Sequence, residues 1–172
     1  VSPEFFATLG VPLAMGRAFT EDEMLYANAQ VLILTHEFWR DEFNSDPNVL
    51  DRELMVDGLN NRVVGVLPPG FRFLDSRARF FIPLASNLDE RGPGSRHNNN
   101  QTMVARLKTG TSLEEAQAQM DAFNSIQLAD DPYAHLLREA GFRTNIHWLH
   151  DDLVREVRPM LMLLQAGVLA LL

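Results

Sequence analysis

The chain contains no cysteine, which excludes disulfides, thiolate metal sites and a cysteine nucleophile. Positive charge is also scarce: 15 Lys and Arg stand against 23 Asp and Glu, a formal net charge of −8. A field of that sign repels phosphate backbones, and no basic stripe interleaved with aromatics is read along the chain, so no nucleic-acid partner is expected. The Gly-x-x-x-x-Gly-Lys-[Ser/Thr] phosphate loop is absent, so any ATP chemistry belongs to another polypeptide or another segment. No Gly-x-Ser-x-Gly elbow offers a serine nucleophile. No charged segment followed by an apolar one precedes the first motif, and no apolar run reaches the about 20 residues needed to span a bilayer.

What is present describes a globular protein. Of 172 residues, 46% are hydrophobic and 22% charged, enough for one good core or two small subdomains and unlike a disordered chain. The organising stretch is Arg52–Phe73. Two runs rich in Val, Leu and Met, Glu53–Val56 and Arg62–Leu67, flank Asp57-Gly58-Leu59-Asn60-Asn61. Asp, Gly and Asn tolerate the positive φ of a tight turn, so the stretch predicts an antiparallel hairpin. Pro68-Pro69-Gly70 ends it, because proline has no amide to donate to a ladder. The stretch contains no nucleophile and no ligand cluster, and it reads as scaffold.

In chain order, Ser2–Gly10 predicts a short helix, with Ser2 to cap, Pro3 and Glu4 in the first turn, Gly10 to stop, and Phe5, Phe6 and Leu9 on one face. Gly16–Thr20 leads through a turn or loop to the acidic Glu21-Asp22-Glu23. Arg17 there is read as a structural ion-pair partner in preference to an anion ligand. Val31–Leu34 is a buried strand, and Thr35 caps a helix, His36–Phe43, that turns Phe38, Trp39 and Phe43 inward before Asn44–Pro47 ends it. Phe71–Phe73 and Phe80–Leu84 read as further short strands, with Pro83 marking an edge. Residues 88–101 are polar and rich in Gly, Pro and Asn, a solvated loop or junction; His97 and its neighbouring asparagines are read as part of that loop and not as a ligand set.

Beyond the loop the pattern becomes β-α-α-β. Thr102–Leu107 is expected as a strand. Ser112-Leu113-Glu114-Glu115 is a capping box, and the helix it opens places Leu113, Ala116, Met120, Phe123 and Ile126 on one face. Asp131-Pro132 starts a second helix that Gly141 ends. Phe142–Leu149 alternates as a strand, with Phe142, Thr144, Ile146 and Trp148 on one side. His147-x-x-His150-Asp151-Asp152 invites a metal proposal, but the two imidazoles come from a strand end and a turn, with no third ligand identifiable. Asp151 or Asp152 is instead the natural N-cap of a final helix. No catalytic, cofactor-binding or metal-ligating residue is assigned. Met160–Leu172 is apolar except for Gln165, and it reads as a transmembrane helix cut by a fragment boundary, in preference to a buried helix.

These motifs, in one collinear order, resemble the extracytoplasmic domain of MacB/FtsX-type ABC transporter permeases. The resemblance rests on Val1-Ser-Pro-Glu-Phe-Phe-x-x-Leu-Gly-Val-Pro12, Gly16-Arg17-x-Phe19-Thr20, Val31–Trp39 through Phe43, Asp46-Pro47, Val63–Phe71, Ile82-Pro83-Leu84, Ala105–Ala116 and Val157-Arg158-Pro159. Asp51 departs from it, since the family usually has glycine there. The resemblance implies an α+β fold: a helix at 1–12 joining two lobes, a β-rich inserted lobe at 13–90, a polar loop at 91–100, and a porter-like β-α-α-β lobe at 101–150 whose first half is missing. A helix at 151–172 then enters the membrane. It further implies a non-catalytic domain without cofactor on the periplasmic or extracellular side of the bacterial inner membrane. There it couples cytoplasmic ATP hydrolysis to export or to mechanical signalling. The implied partners are a cytoplasmic ATPase subunit, a second permease copy, the membrane, and a periplasmic or envelope protein. Two other classes stay open: a membrane-tethered solute-binding or sensor module, which needs a concave pocket with convergent polar groups, and a secreted hydrolase fragment, which needs a nucleophile–base pair that is not found.

Overall fold

The computed structural model describes residues 1–74, 76–87, 90, 101–129 and 131–151. The chain divides into two compact units, Val1–Arg106 and Leu107–Leu172.

The first unit is built on a small mixed sheet. Val31–Leu34 (β2) is buried at all four positions, which explains its unbroken apolar run: a central strand covered on both faces needs no polar side. It pairs in parallel with Leu59–Val66 (β4). On the opposite edge β4 takes two antiparallel partners, Met15–Gly16 (β1) near its end and Glu53–Val56 (β3) near its start. The two-residue Phe80–Phe81 (β5) pairs antiparallel with β2 and closes the sheet edge, where Pro83 had suggested an edge. Phe71–Phe73 is not a strand.

The β3–β4 hairpin is tighter than the sequence reading. Its turn is not five residues but two, since Val56 already pairs with Leu59. Asp57 and Gly58 both have positive φ, 51° and 80°, the type I′ pattern whose twist matches the flanking strands. Leu59, Asn60 and Asn61, expected in the turn, belong to β4. The same tolerance of Asp for the left-handed region appears at Asp51, with φ 65°. Glycine, usual here in the family the sequence resembles, would adopt that conformation without strain.

Between Leu32 and Ile33 the parallel register slips by one residue, so Leu32 partners Val63 and Ile33 partners Gly65. Val64 is the extra residue, and the slip resets the alternation of β4. As a result Val63 and Val66 both join Leu32, Leu34 and Val49 in one core cluster, while Val64 joins Ile33, Val31, Phe6, Phe19 and Leu67 in the other. Each face of the sheet has its own cover. Phe5–Leu9 (α1) inserts Phe6, 1% exposed, on one side, with edge-on contacts to Phe71 and Phe81. His36–Phe43 (α2) lays Phe38, Trp39 and Phe43 on the other.

The helix ends follow local chemistry. Thr35 caps α2 by accepting the Phe38 amide at 3.3 Å, as its position predicts, and Asn44 ends the helix in the left-handed region. In α1 the N-cap is Glu4 without a side-chain bond, not Ser2; Ser2 contributes its carbonyl to the Phe5 amide. Gly10, at φ 73°, terminates α1 as expected, and the Val11 amide reaches back to the Phe6 carbonyl, the closing bond of a Schellman end.

The second unit contains two helices among its described residues. Leu113–Ala129 (α3) starts at the expected capping box, with Ser112 and Glu115 exchanging amide bonds at 2.8 and 3.1 Å. Ala134–Glu139 (α4) follows. The strands expected at Thr102–Leu107 and Phe142–Leu149 have no ladder pairing among the described residues. In Phe142–Leu149 the place of a partner strand is taken by Gln117, whose amide donates to the Thr144 carbonyl at 2.8 Å and accepts from the Ile146 amide at 2.9 Å. A side chain thereby serves the backbone groups a neighbouring strand would have served. Asn124 adds a bond to Thr144 Oγ1, and Asp121 an ion pair to Arg143. This polar seam also rolls α3: Leu113, Ala116 and Met120 are half-buried as expected, but Phe123 and Ile126 are 56% and 67% exposed. The helix expected at 151–172 lies outside the described residues beyond Asp151, and no described helix is long and apolar enough to cross a membrane.

Two glycines separate two kinds of strain. Gly58 has open space around it, so Gly58→Val should cost about 1 kcal/mol through positive φ alone. A Cβ on Gly65 would lie 2.8 Å from the Arg17 carbonyl oxygen and 2.5 Å from a Leu13 methyl; Gly65→Ala should therefore cost about 1–3 kcal/mol by overpacking. Urea melts of the two variants check this ordering, and an unchanged midpoint for Gly65→Ala would contradict the close approach of β1 to β4.

Candidate functional site

Arg17 is where the sequence reading placed it, in a structural ion pair. Its guanidinium meets the Glu23 carboxylate with both nitrogens, at 2.7 and 3.0 Å. Glu23 is 6% exposed and also accepts the Thr20 amide at 2.8 Å. Burial pushes this carboxyl up, but the Arg17 hydrogen bond, the Thr20 amide and the Arg17 charge together outweigh it, leaving the group below the usual carboxylate range. Arg17 is thus committed to holding the loop before β2, with no fork left for a ligand. In Arg17→Ala the buried acid loses its charged donor, at a cost of about 1.5–3 kcal/mol, with solvent screening at half-exposed Arg17 favouring the lower end. Because the folded group titrates below its unfolded value, this stabilisation is present above about pH 4 and is lost as pH falls through the folded value. Denaturant melts of both proteins from pH 7 to pH 3 should show the difference shrinking with acid.

Of the His147–Asp152 cluster, the described part runs to Asp151. His150 Nδ1 stands 3.7 Å from Asp151 Oδ1, and both side chains are largely exposed. Asp152 lies outside the described residues, as do His97 and its asparagines. Among the described residues no three His, Asp or Glu side chains are grouped to hold a metal ion.

The geometry brings together a set that the sequence reading passed over. Between α2 and the stretch leading to β5 lies a cleft of about 380 Å³. Phe38, Phe73 and Phe81 supply apolar wall, and Arg72, Arg77 and Arg79 supply guanidinium groups. Thr35 positions the stretch: its amide and hydroxyl both donate to the Arg79 carbonyl, at 3.0 and 2.9 Å. Arg79 packs over the Phe38 ring at 4.2 Å and pairs with Glu42. Glu37, in the wall, accepts the Gly70 amide at 3.1 Å. Asp41 is paired with Arg40 at 2.7 Å, and the Arg40 hydrogen bond holds it below the usual carboxylate range. Arg72 and Arg77 have no hydrogen bond or ion pair to any described residue. The signal was local: arginine and phenylalanine interleave in Phe71-Arg72-Phe73 and Arg77-Ala78-Arg79-Phe80. The run is too short to register as a basic stripe in an acidic chain.

A second, smaller cleft of about 210 Å³ lies where β1 passes β4, rimmed by Arg17, Asp51 and Arg62. Its charges are mutually engaged, Arg17 with Glu23 and Arg62 with Asp51 at 3.5 Å.

No curated protein sequence matches the chain. Among solved structures it is similar to the periplasmic region of MacB from Actinobacillus actinomycetemcomitans, at 15% identity over 84% of this chain and 64% of that one, with a TM-score of 0.48. It is also similar to a permease-protein domain from Porphyromonas gingivalis, at 18% identity over 73% of this chain and 57% of that one, with a TM-score of 0.46. The chain thus spans less than two thirds of the length of these relatives. Residues 1–123 match the family described as MacB-like periplasmic core domain, a match that covers the sheet, both helices on it and the first part of α3. The chain belongs to the MacB-like periplasmic core domain family.

Proposed function

We propose that this chain is the extracytoplasmic domain of an ABC transporter permease in the bacterial inner membrane, and that it performs no catalysis itself. ATP hydrolysis in a cytoplasmic subunit moves the membrane helices, and this domain carries the motion to a substrate or to an envelope partner. The permease works as a dimer. The observation that carries the reading is the family match over residues 1–123. It is supported by a described structure whose charged groups, outside the arginine cleft, are mostly committed to caps and ion pairs. The runner-up is a membrane-tethered solute-binding or sensor module, which the 380 Å³ cleft favours.

The placement outside the membrane is testable because these residues contain no cysteine. Met55, on the hairpin, is 76% exposed. A Met55→Cys variant in cells with an opened outer barrier should react with a membrane-impermeant thiol reagent. Labelling only after lysis would put the domain in the cytoplasm and remove the permease reading.

The non-catalytic part has its own check. Calorimetry of the 172-residue chain should give no one-to-one zinc binding at submicromolar affinity, and the same chain should not hydrolyse ATP. Tight zinc binding abolished by His147→Ala would show that the His/Asp cluster closes into a site.

A further inference from the structure

The arginine cleft has the features of a ligand site, and it stands independently of the permease reading. Its volume, about 380 Å³, is at the lower end of the about 300–1,000 Å³ usual for small-ligand sites. Three arginines and two acids line it. Both acids are already engaged, Glu37 by the Gly70 amide and Asp41 by Arg40, and Arg79 is taken up by Glu42 and the Phe38 ring. The wall therefore presents two guanidinium groups, Arg72 and Arg77, that have no hydrogen bond or ion pair to a described residue, beside aromatic surface.

That combination selects among anions. A guanidinium fork matches a carboxylate or phosphate with two parallel hydrogen bonds. A free phosphate fits the same forks but leaves the aromatic wall uncovered, so the charge alone does not select it. The rings of Phe38, Phe73 and Phe81 demand an apolar group next to the charge, since burying them against water yields nothing. We propose that the cleft binds the C-terminal carboxylate of a peptide ending in apolar residues, with Arg72 and Arg77 holding the carboxylate and the phenylalanines holding the terminal side chains.

The test is calorimetry on the 172-residue chain with N-acetyl-Leu-Phe as probe, beside its C-terminal amide and inorganic phosphate. The acid should bind, and the amide at least about tenfold more weakly, equivalent to about 1.4 kcal/mol for the charged contact. Arg72→Ala and Arg77→Ala are substitutions of exposed side chains; each should weaken the acid by a similar factor and leave the amide unchanged. Arg143→Ala, in the other unit, should change nothing, and thermal melts of all variants verify that they remain folded. Equal binding of acid and amide, acid binding unaffected in the double arginine variant, phosphate binding tighter than the peptide acid, or no binding of the acid at millimolar concentration would each overturn the proposal. None of these outcomes bears on which side of the membrane the domain lies, so labelling at Met55 and this titration fail separately.

Discussion

The parallel pairing of β2 with β4 is the constraint on which the first unit depends. Parallel strands cannot be joined by a tight turn, so the chain after Leu34 must leave the sheet, and it does so as α2 before returning as β3 beside β4. That excursion places Phe38, Trp39 and Phe43 over one face of the sheet. The one-residue slip at Leu32/Ile33 then decides which residues of β4 each face receives. Without it Val63 and Val66 would point to opposite sides, and the cluster beneath α2 would lose one of its fully buried members. Gly16 and Gly65, paired across β1 and β4, let the backbones approach where the slip occurs. The two core clusters are thus consequences of one register.

The second unit is organised by polar contacts. No residue of α3 is buried, and the helix is tied to the 142–148 stretch by Gln117, Asn124 and Asp121. Hydrogen bonds of this kind contribute about 0.5–1.5 kcal/mol each, less than a fully buried large apolar side chain, at about 1.5–3 kcal/mol. Stability is therefore unevenly distributed, concentrated around the sheet and lower along α3.

Electrostatics divides the surface by commitment more than by sign. The chain is acidic overall, yet its acids near the sheet are mostly spent: Glu23 on Arg17, Glu42 on Arg79, Asp46 on Arg52 and Glu37 on the Gly70 amide. Among the described residues Arg72 and Arg77 stand apart in having no such partner.

Much of what neighbours along the chain decide was legible in the sequence, although the cap expected at Ser2 is not made. The caps at Thr35 and Ser112, the stop at Gly10, the buried run Val31–Leu34 and the Asp-Gly turn all depend on residues within a few positions, and each occurs where the residue types require it. The family, too, was legible, because it rests on short motifs in collinear order. Tertiary structure decided the rest. The parallel partner of β2, the slip that reassigns Val63, Val64 and Val66, and the capture of 144–146 by Gln117 in place of a strand all join residues about 30 apart. Nothing local distinguishes those pairings from their alternatives. The same holds for the cleft: Arg72, Arg77 and Phe38 become one site only when β5 takes the edge of β2. That edge position depends on backbone hydrogen bonds, which every residue except proline offers alike.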